Sequence, residues 1–256
     1  MAWKAEYTGE TVNEFLGRPA EPRAEITQLT IRDIEALDCA QLVQRFPEVT
    51  RLHLYGRLGL LSAAGELNRL TSLQGISIDD LFGMTGEDLL RPQCVPKLES
   101  VDLHSVPAAY AAPMRRTWRH EIPAGTYVSV LRARKPEWIE ENRNNPLRDW
   151  DGREHISATT YKRAVTQYKA TRKAILQALA DEPTAVRPKR LEEIGRAYGE
   201  EFNRLDRRSG FIETVEREEL FAALDHIVNE TDVPHGPDFG EARDSLISGV
   251  ESVRDW

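Results

Sequence analysis

The sequence predicts an α/β protein: a repeat solenoid with a parallel sheet, followed by an α-helical C-terminal domain. Two observations support this. A short apolar pattern returns at near-constant spacing through the first half of the chain, and helical apolar periodicity replaces it after Arg134. The predicted domains are an N-terminal cap (1–23), the solenoid (24–134), a connector (135–156) and the helical domain (157–256).

The repeated pattern is a hexamer with aliphatic residues at its first, fourth and sixth positions. Copies begin at Ile26, Val49, Leu73 and Leu98, and a degenerate fifth copy begins at Gly125. The steps between copies are 23, 24, 25 and 27 residues. A hexamer of this kind is common in single strands, but its recurrence at such even spacing indicates stacked coils.

These repeats resemble the leucine-rich-repeat family over residues 24–131. The resemblance implies short parallel strands on a concave face and helices on the convex face. We expect one residue from each strand to stack inside as a column, namely Leu29, Leu52, Ile76 and Val101. The family's usual asparagine or cysteine after the strand is absent, and its place is taken by Ile34, Arg57, Leu81 and Val106. Other groups must therefore satisfy the turns.

The second half of the chain predicts helices. Pro136 is placed for a first helical turn, and Ser157 is a candidate N-cap of a longer helix. Apolar residues at steps of three and four predict three more helices, around 191–205, after Thr214 and over 239–250.

Two motifs accompany these helices, DWDGRE at 149–154 and FIETVEREE at 211–219. Together with the repeats they resemble bacterial leucine-rich-repeat proteins that carry a helical C-terminal domain. That resemblance implies architecture and no activity. Trp118, Trp138 and Trp150 are expected to fill the joint between the two domains.

Composition limits the classes of function. The net charge of −8 argues against a nucleic-acid partner, because phosphate contacts need clustered cations. No apolar run reaches the roughly 18 residues of a membrane span, and the N-terminus lacks the apolar core of a signal peptide. Cys39 and Cys94 are too few for a disulfide framework and are expected to be buried thiols. We therefore expect a cytoplasmic protein without a membrane partner.

The outward face of the sheet is the predicted binding surface, since alternate strand residues point away from the core. Open solenoids commonly bind partners on this face, and arginine and tyrosine are favoured at binding hot spots. The candidate partner-binding residues are Arg51, His53, Tyr55, Asp79, Asp102, His104 and Tyr127. A merely solvated face is the alternative.

Catalysis on this face is not expected. His53, Ser77 and Asp102 are predicted neighbours, but serine is in the middle, whereas a catalytic triad needs histidine between the nucleophile and the acid. No metal is expected, because the histidines lack HxH or HExxH spacing, and His235 fits a turn before the last helix. No phosphate-binding loop motif occurs, so no cofactor is expected.

Three hypotheses of function follow. The first is a protein-recognition module that binds a protein partner on the concave face. The second is an immunity or antitoxin protein that neutralises its partner through acidic C-terminal helices, since residues 209–256 carry a net charge of −9. The third is an enzyme or accessory protein with a site at the connector, whose candidate residues are Asp149, Asp151, Arg153, Glu154 and His155.

The charge of residues 153–208 is the opposite, with a net of +5. The cations Lys162, Arg163, Lys169, Arg172 and Lys173 could form a basic docking surface. We favour instead two solvated helix faces of opposite charge that complement each other within the domain.

Overall fold

The computed structural model describes residues 3–18, 21–230 and 237–256. The chain divides into two compact units, Met1–Arg143 and Asn144–Trp256. The division falls inside the segment 135–156 that the sequence suggested as a connector. His235, which was assigned to a turn, lies outside the described residues.

The N-terminal unit contains a six-stranded sheet in which all neighbouring strands are parallel. Its strands are β1 (Trp3–Thr8), β2 (Ile26–Asp38), β3 (Arg51–Ser62), β4 (Gly75–Phe82), β5 (Ser100–His104) and β6 (Tyr127–Leu131). They stand side by side in chain order. Strand β1 lies in the segment predicted as a cap. There Ala5 and Tyr7 pair with Leu29 and Ile31, so smaller and aromatic residues replace the aliphatics that define the repeat.

The register confirms the predicted internal column. Leu29 pairs with Leu52, Leu52 with Ile76, and Ile76 with Val101. All four side chains are buried. Val101 in turn pairs with Val128, so the degenerate fifth copy at 125–130 belongs to the same series.

The segments between strands vary more than the strands do. They contain α1 (Gly9–Leu16), α2 (Cys39–Arg45), α3 (Ala108–Trp118) and, after β6, α4 (Pro136–Asn142). After β3, where the resemblance implied a helix, the segment is a 3₁₀ helix, Ala64–Arg69. The Asn68 amide donates to the carbonyls of Gly65 and Leu89, both at 2.8 Å, and thereby ties this segment to the one that follows β4.

A polar chain of side chains satisfies the turns that follow the strands. Asp80, near the end of β4, and Ser105, directly after β5, each adopt positive φ. The Asp80 carboxylate accepts from the Leu58 N–H at 2.8 Å and from the Ser105 hydroxyl at 3.0 Å. Ser105 Oγ accepts from Arg134 Nε at 3.2 Å. These groups connect the end of β4 to Leu58 of β3, to the turn that follows β5 and to Arg134.

The C-terminal unit consists of helices, as predicted. They are α5 (Ala158–Asp181), α6 (Arg187–Asp206), α7 (Thr214–Asn229) and α8 (Pro237–Glu251). Ser157 caps α5 by accepting from the Thr160 N–H at 3.1 Å. Helix α7 begins with a capping box in which Glu213 is the N-cap and Glu216 the third helical residue.

Helices α6 and α8 approach each other closely at glycines. A Cβ on Gly195 would lie 2.1 Å from the Leu246 carbonyl oxygen, and one on Gly249 would lie 2.1 Å from that of Glu192. Only residues without a side chain permit this backbone contact.

The tryptophans do not share one location. Trp118 is buried in the core of the N-terminal unit and donates to the Leu90 carbonyl at 3.0 Å. Trp150 is buried in the core of the C-terminal unit, edge-on to Phe211 at 5.6 Å. The expectation that they fill a common joint was wrong, because each unit uses its own tryptophan to complete its core. Trp138 lies beneath the Arg134 guanidinium at 3.8 Å.

None of the helices in the described part of the chain combines the length and the apolar character needed to cross a bilayer. Both cysteines are free thiols. Burial raises the pKa of the Cys39 thiol to about 12, so that thiol stays protonated near neutral pH. Cys94 is only partly buried, contrary to expectation.

Candidate functional site

The sheet of the N-terminal unit has one face on the core and one face outward, here called the outward face. Register arranges its residues in three rows across β1 to β6. They are Lys4, Gln28, Arg51, Gly75, Ser100 and Tyr127; Glu6, Thr30, His53, Ser77, Asp102 and Ser129; and Thr8, Arg32, Tyr55, Asp79, His104 and Leu131. In the third row the contact of the Arg32 guanidinium with the Tyr55 ring joins β2 to β3, where the register shifts. All seven residues predicted for partner binding therefore lie on one face.

Strands β1 to β3 carry a connected polar group. Arg32 Nε donates to Glu6 Oε1 at 2.7 Å, and the Arg32 guanidinium lies 5.0 Å from the centre of the Tyr55 ring. The Tyr55 ring stacks on His53 with centres 6.4 Å apart and planes 3° from parallel. The sequence did not single out Glu6 or Arg32. The sequence did contain one signal for Arg32, which occupies an outward position of the repeat.

His53 carries little positive charge near neutral pH. Partial burial, together with the positive charges of Arg51 and Arg32, lowers the pKa of His53 below its ordinary 6.5. The residue therefore offers a neutral imidazole to the outward face.

Strands β4 and β5 carry a separate pair. His104 Nδ1 and Asp79 Oδ1 are 2.6 Å apart. Among the described residues, no hydrogen bond joins Ser77 to His53 or to Asp102. The three residues are neighbours in register, as predicted, but Ser77 has no general base. This agrees with the exclusion of a triad from residue order.

Some side chains on the outward face remain without a partner. Among the described residues, none forms a hydrogen bond or an ion pair with the side chain of Arg51 or of Asp102. Tyr127 is 63% exposed and Leu131 57% exposed, although both are large. Between Arg51 and Tyr127 the same row holds only Gly75 and Ser100. Small side chains on β4 and β5 therefore lie between the larger side chains of β3 and β6.

The free edge of the sheet at β6 is protected. The Ser105 N–H donates to the Leu131 carbonyl, so Leu131 directs its backbone toward β5. The preceding carbonyl, of Val130, consequently points to the free edge, and there it accepts from the Arg115 guanidinium. A blunted edge disfavours the addition of a partner strand and leaves the outward face as the surface for contact.

The connector residues serve a different purpose. Arg153 bridges Glu216 and Glu219 of α7, donating to Glu219 at 2.7 and 2.8 Å. Trp150 Nε1 also donates to Glu219, at 2.7 Å, and His155 contacts Glu216 at 3.1 Å. The two motifs at 149–154 and 211–219 are thus joined to each other inside the C-terminal unit.

The charged side chains of this cluster bind one another. Glu216 is 2% exposed. Burial raises its pKa, but hydrogen bonds from Arg153, from the backbone and from His155 outweigh burial and lower the pKa below 4.5. Asp149 is exposed and lies 3.5 Å from Arg148, and Glu154 is exposed. The arrangement is that of a structural ion cluster.

The charged helices of the C-terminal unit also pair internally. Arg172 of α5 binds Glu230 at 2.7 Å, and Arg243 of α8 binds Asp225 of α7 at 2.7 Å. Lys162, Arg163, Lys169 and Lys173 form no ion pair with the described residues. The expected pairing of opposite charges is therefore present for part of the basic set.

Comparison of the chain with protein-family models, with curated protein sequences and with solved structures finds no match. The candidate site is therefore argued from its own geometry.

Proposed function

We propose that the N-terminal unit is a leucine-rich-repeat solenoid whose outward face binds a protein partner. One observation carries this proposal. Arg51, Asp102, Tyr127 and Leu131 are held outward on the same sheet face as the Arg32–Glu6 and His104–Asp79 pairs. The side chains of Arg51 and Asp102 form no hydrogen bond or ion pair with the described residues, and Tyr127 and Leu131 are largely exposed, so all four are available to another molecule.

Energetics support a face of this kind as a binding surface. The buried column holds the sheet rigid, so little conformational entropy is lost when a partner binds to the outward face. Tyrosine and arginine contribute much of the energy at protein interfaces, and here the neighbours of Arg51 are an ordered His53–Tyr55 stack. Arg115 at the β6 edge favours docking on the face over strand addition.

The second candidate is an immunity-type protein that masks a basic partner with its acidic C-terminal helices. Its support is the net charge of −9 on residues 209–256. Five of those carboxylates are engaged in ion pairs within the unit, at Glu216, Glu219, Asp225, Glu230 and Glu251. Exposed Glu218, Glu241 and Asp244 are among those left to perform the masking. Exposed pairs of this kind are weak and screened by salt.

The connector enzyme is the least supported of the three, because its candidate Arg153 is held in ion pairs with Glu216 and Glu219 and its candidate His155 contacts Glu216. Two unpaired cysteines fit a reducing compartment, and we propose that the protein acts in the cytoplasm.

Site-specific photo-crosslinking in the native cells tests the proposal. A photoreactive amino acid at Ser77 or Ser129 of the outward face should crosslink one discrete protein. The same amino acid at Thr214 or Glu218 on α7 should not. Thr214 and Glu218 are exposed and the two serines are partly buried, so a lack of crosslinking from α7 would not reflect lower exposure. Crosslinking of that protein from α7 alone would refute the outward face and favour the masking hypothesis.

A further inference from the structure

The two ends of the outward face carry similar chemistry with one difference. Toward β1 to β3, the Glu6 carboxylate, the Arg32 guanidinium and the Tyr55 ring form a three-part contact. Toward β5 and β6, the face again presents a carboxylate, Asp102, and a tyrosine ring, Tyr127. No guanidinium of a described residue pairs with that carboxylate.

Register defines the geometry at β5 and β6. Asp102 pairs with Ser129, so it stands beside the midpoint between Tyr127 and Leu131. Strands lie about 4.8 Å apart, and four residues along a strand span about 13 Å. Ser129 between the two large residues has a short side chain. The result is a gap walled by an aromatic ring and an aliphatic side chain, with a carboxylate at one side.

We propose that the partner inserts an arginine side chain into this gap. The inference rests on the proposed function of the outward face. The guanidinium pairs with Asp102, its plane lies against the Tyr127 ring, and its methylene groups cover Leu131. The partner thereby supplies the component that Arg32 supplies at the other end.

Charge and shape both favour arginine. Asp102 carries a negative charge that no described residue pairs with, and a cation complements it. Arginine offers a planar fork that binds a carboxylate through two hydrogen bonds while it stacks on an aromatic face, whereas lysine presents a point charge. Tyr127 and Leu131 are large and exposed. The methylene groups of an arginine would cover their apolar surface, and this contact favours binding.

Peptide selection tests the proposal without a known partner. A phage-displayed library of random peptides is selected on the full chain, and the retained peptides are synthesised. We expect them to contain arginine. Replacement of that arginine by citrulline, which keeps the shape and removes the charge, should weaken binding on the order of tenfold. Asp102→Asn and Tyr127→Ser should each weaken binding similarly. Asp244→Asn is the matched control, because it removes an exposed carboxylate from α8, and it should change the affinity less than about twofold.

The outcomes separate the two proposals. Peptides that lose affinity with Arg51→Ala or Tyr55→Ala but not with Asp102→Asn would overturn the arginine site and leave the outward face intact as a binding surface. Peptides that are insensitive to every outward-face variant, or a library without binders, would count against both. Lysine peptides that bind as tightly as arginine peptides would overturn the preference for a guanidinium.

Discussion

The two units hold similar polar residues and use them differently. In the C-terminal unit, Arg153, Glu216, Glu219 and His155 form one cluster in which each charge has a partner, and Glu216 is buried. On the outward face of the N-terminal unit, Arg51 and Asp102 have none within the described chain, beside an exposed Tyr127. Residue types alone do not distinguish these situations. What separates structural from binding chemistry here is whether the charges are already satisfied.

A practical consequence concerns the acidic helices. Glu216 and Glu219 are unsuitable for testing charge masking, because their removal leaves Arg153 partly buried without its carboxylates. Exposed Glu218 and Asp244 can be changed without that damage.

The largest expected effect is in the sheet. Ile76→Asp places an unpaired charge at the centre of the internal column. It should lower the free energy of unfolding by more than about 5 kcal/mol, enough to unfold an ordinary domain. Circular dichroism and denaturant titration measure it. Thr30→Asp is the control on the outward side of β2 and should cost less than about 1 kcal/mol. Equal tolerance of both variants would contradict the assignment of the two faces.

The next effect is in the ion cluster. Arg153→Ala should destabilise the C-terminal unit by about 3 kcal/mol, because Glu216 then keeps a buried charge without its main partner. Arg243→Ala breaks an exposed pair with Asp225 and should cost less than about 1 kcal/mol. Denaturant midpoints compare the two. A loss no greater for Arg153 than for Arg243 would undermine the structural role of the cluster.

Helix contact in the C-terminal unit gives a smaller effect. Gly249→Ala should cost about 1–3 kcal/mol, since the added methyl group meets the Glu192 carbonyl. Gly240→Ala in the same helix meets nothing within 4 Å and should stabilise by about 0.5–1 kcal/mol through helix propensity. Opposite signs in thermal unfolding are the expected result, and the same sign for both would argue against the α6–α8 contact.

The smallest expected effect is a change in the pKa of His53. The pKa of His53 should fall below 6.5 in a histidine NMR titration, and Arg51→Ala should raise it by removing a nearby positive charge. Because folding lowers this pKa, the unfolded chain binds the proton more tightly. Any stability that His53 contributes is therefore lost as the pH falls through 6.5. A pKa at or above 6.5 in the folded protein would contradict its half-buried position beside Arg51.

Much of the N-terminal unit could be predicted because its repeat constrains register directly. Leu29, Leu52, Ile76 and Val101 are set by spacing, and the alternation of strand residues then places Arg51 and Asp102 outward. Strand β1 was missed, since Ala5 and Tyr7 depart from the aliphatic pattern that marks the other strands.

The pairing of polar side chains could not be predicted. Whether Arg153 is a catalytic candidate or a structural cation depends on Glu216 and Glu219, more than sixty residues later, and no local pattern links them. Likewise, the repeat placed Arg32 outward, but its partner Glu6 became part of the outward face only when β1 was seen to pair with β2.

The most direct test of the binding face is calorimetry with the crosslinked partner at moderate salt. Two double variants are compared with the unmodified chain: Arg51→Ala with Tyr55→Ala on the outward face, and Glu218→Ala with Asp244→Ala on the acidic helices. We predict that the first pair weakens binding at least about tenfold, as expected for interface hot spots, and that the second changes it less than about twofold. Loss of affinity in the second pair alone would contradict the account and move the binding site to the acidic helices.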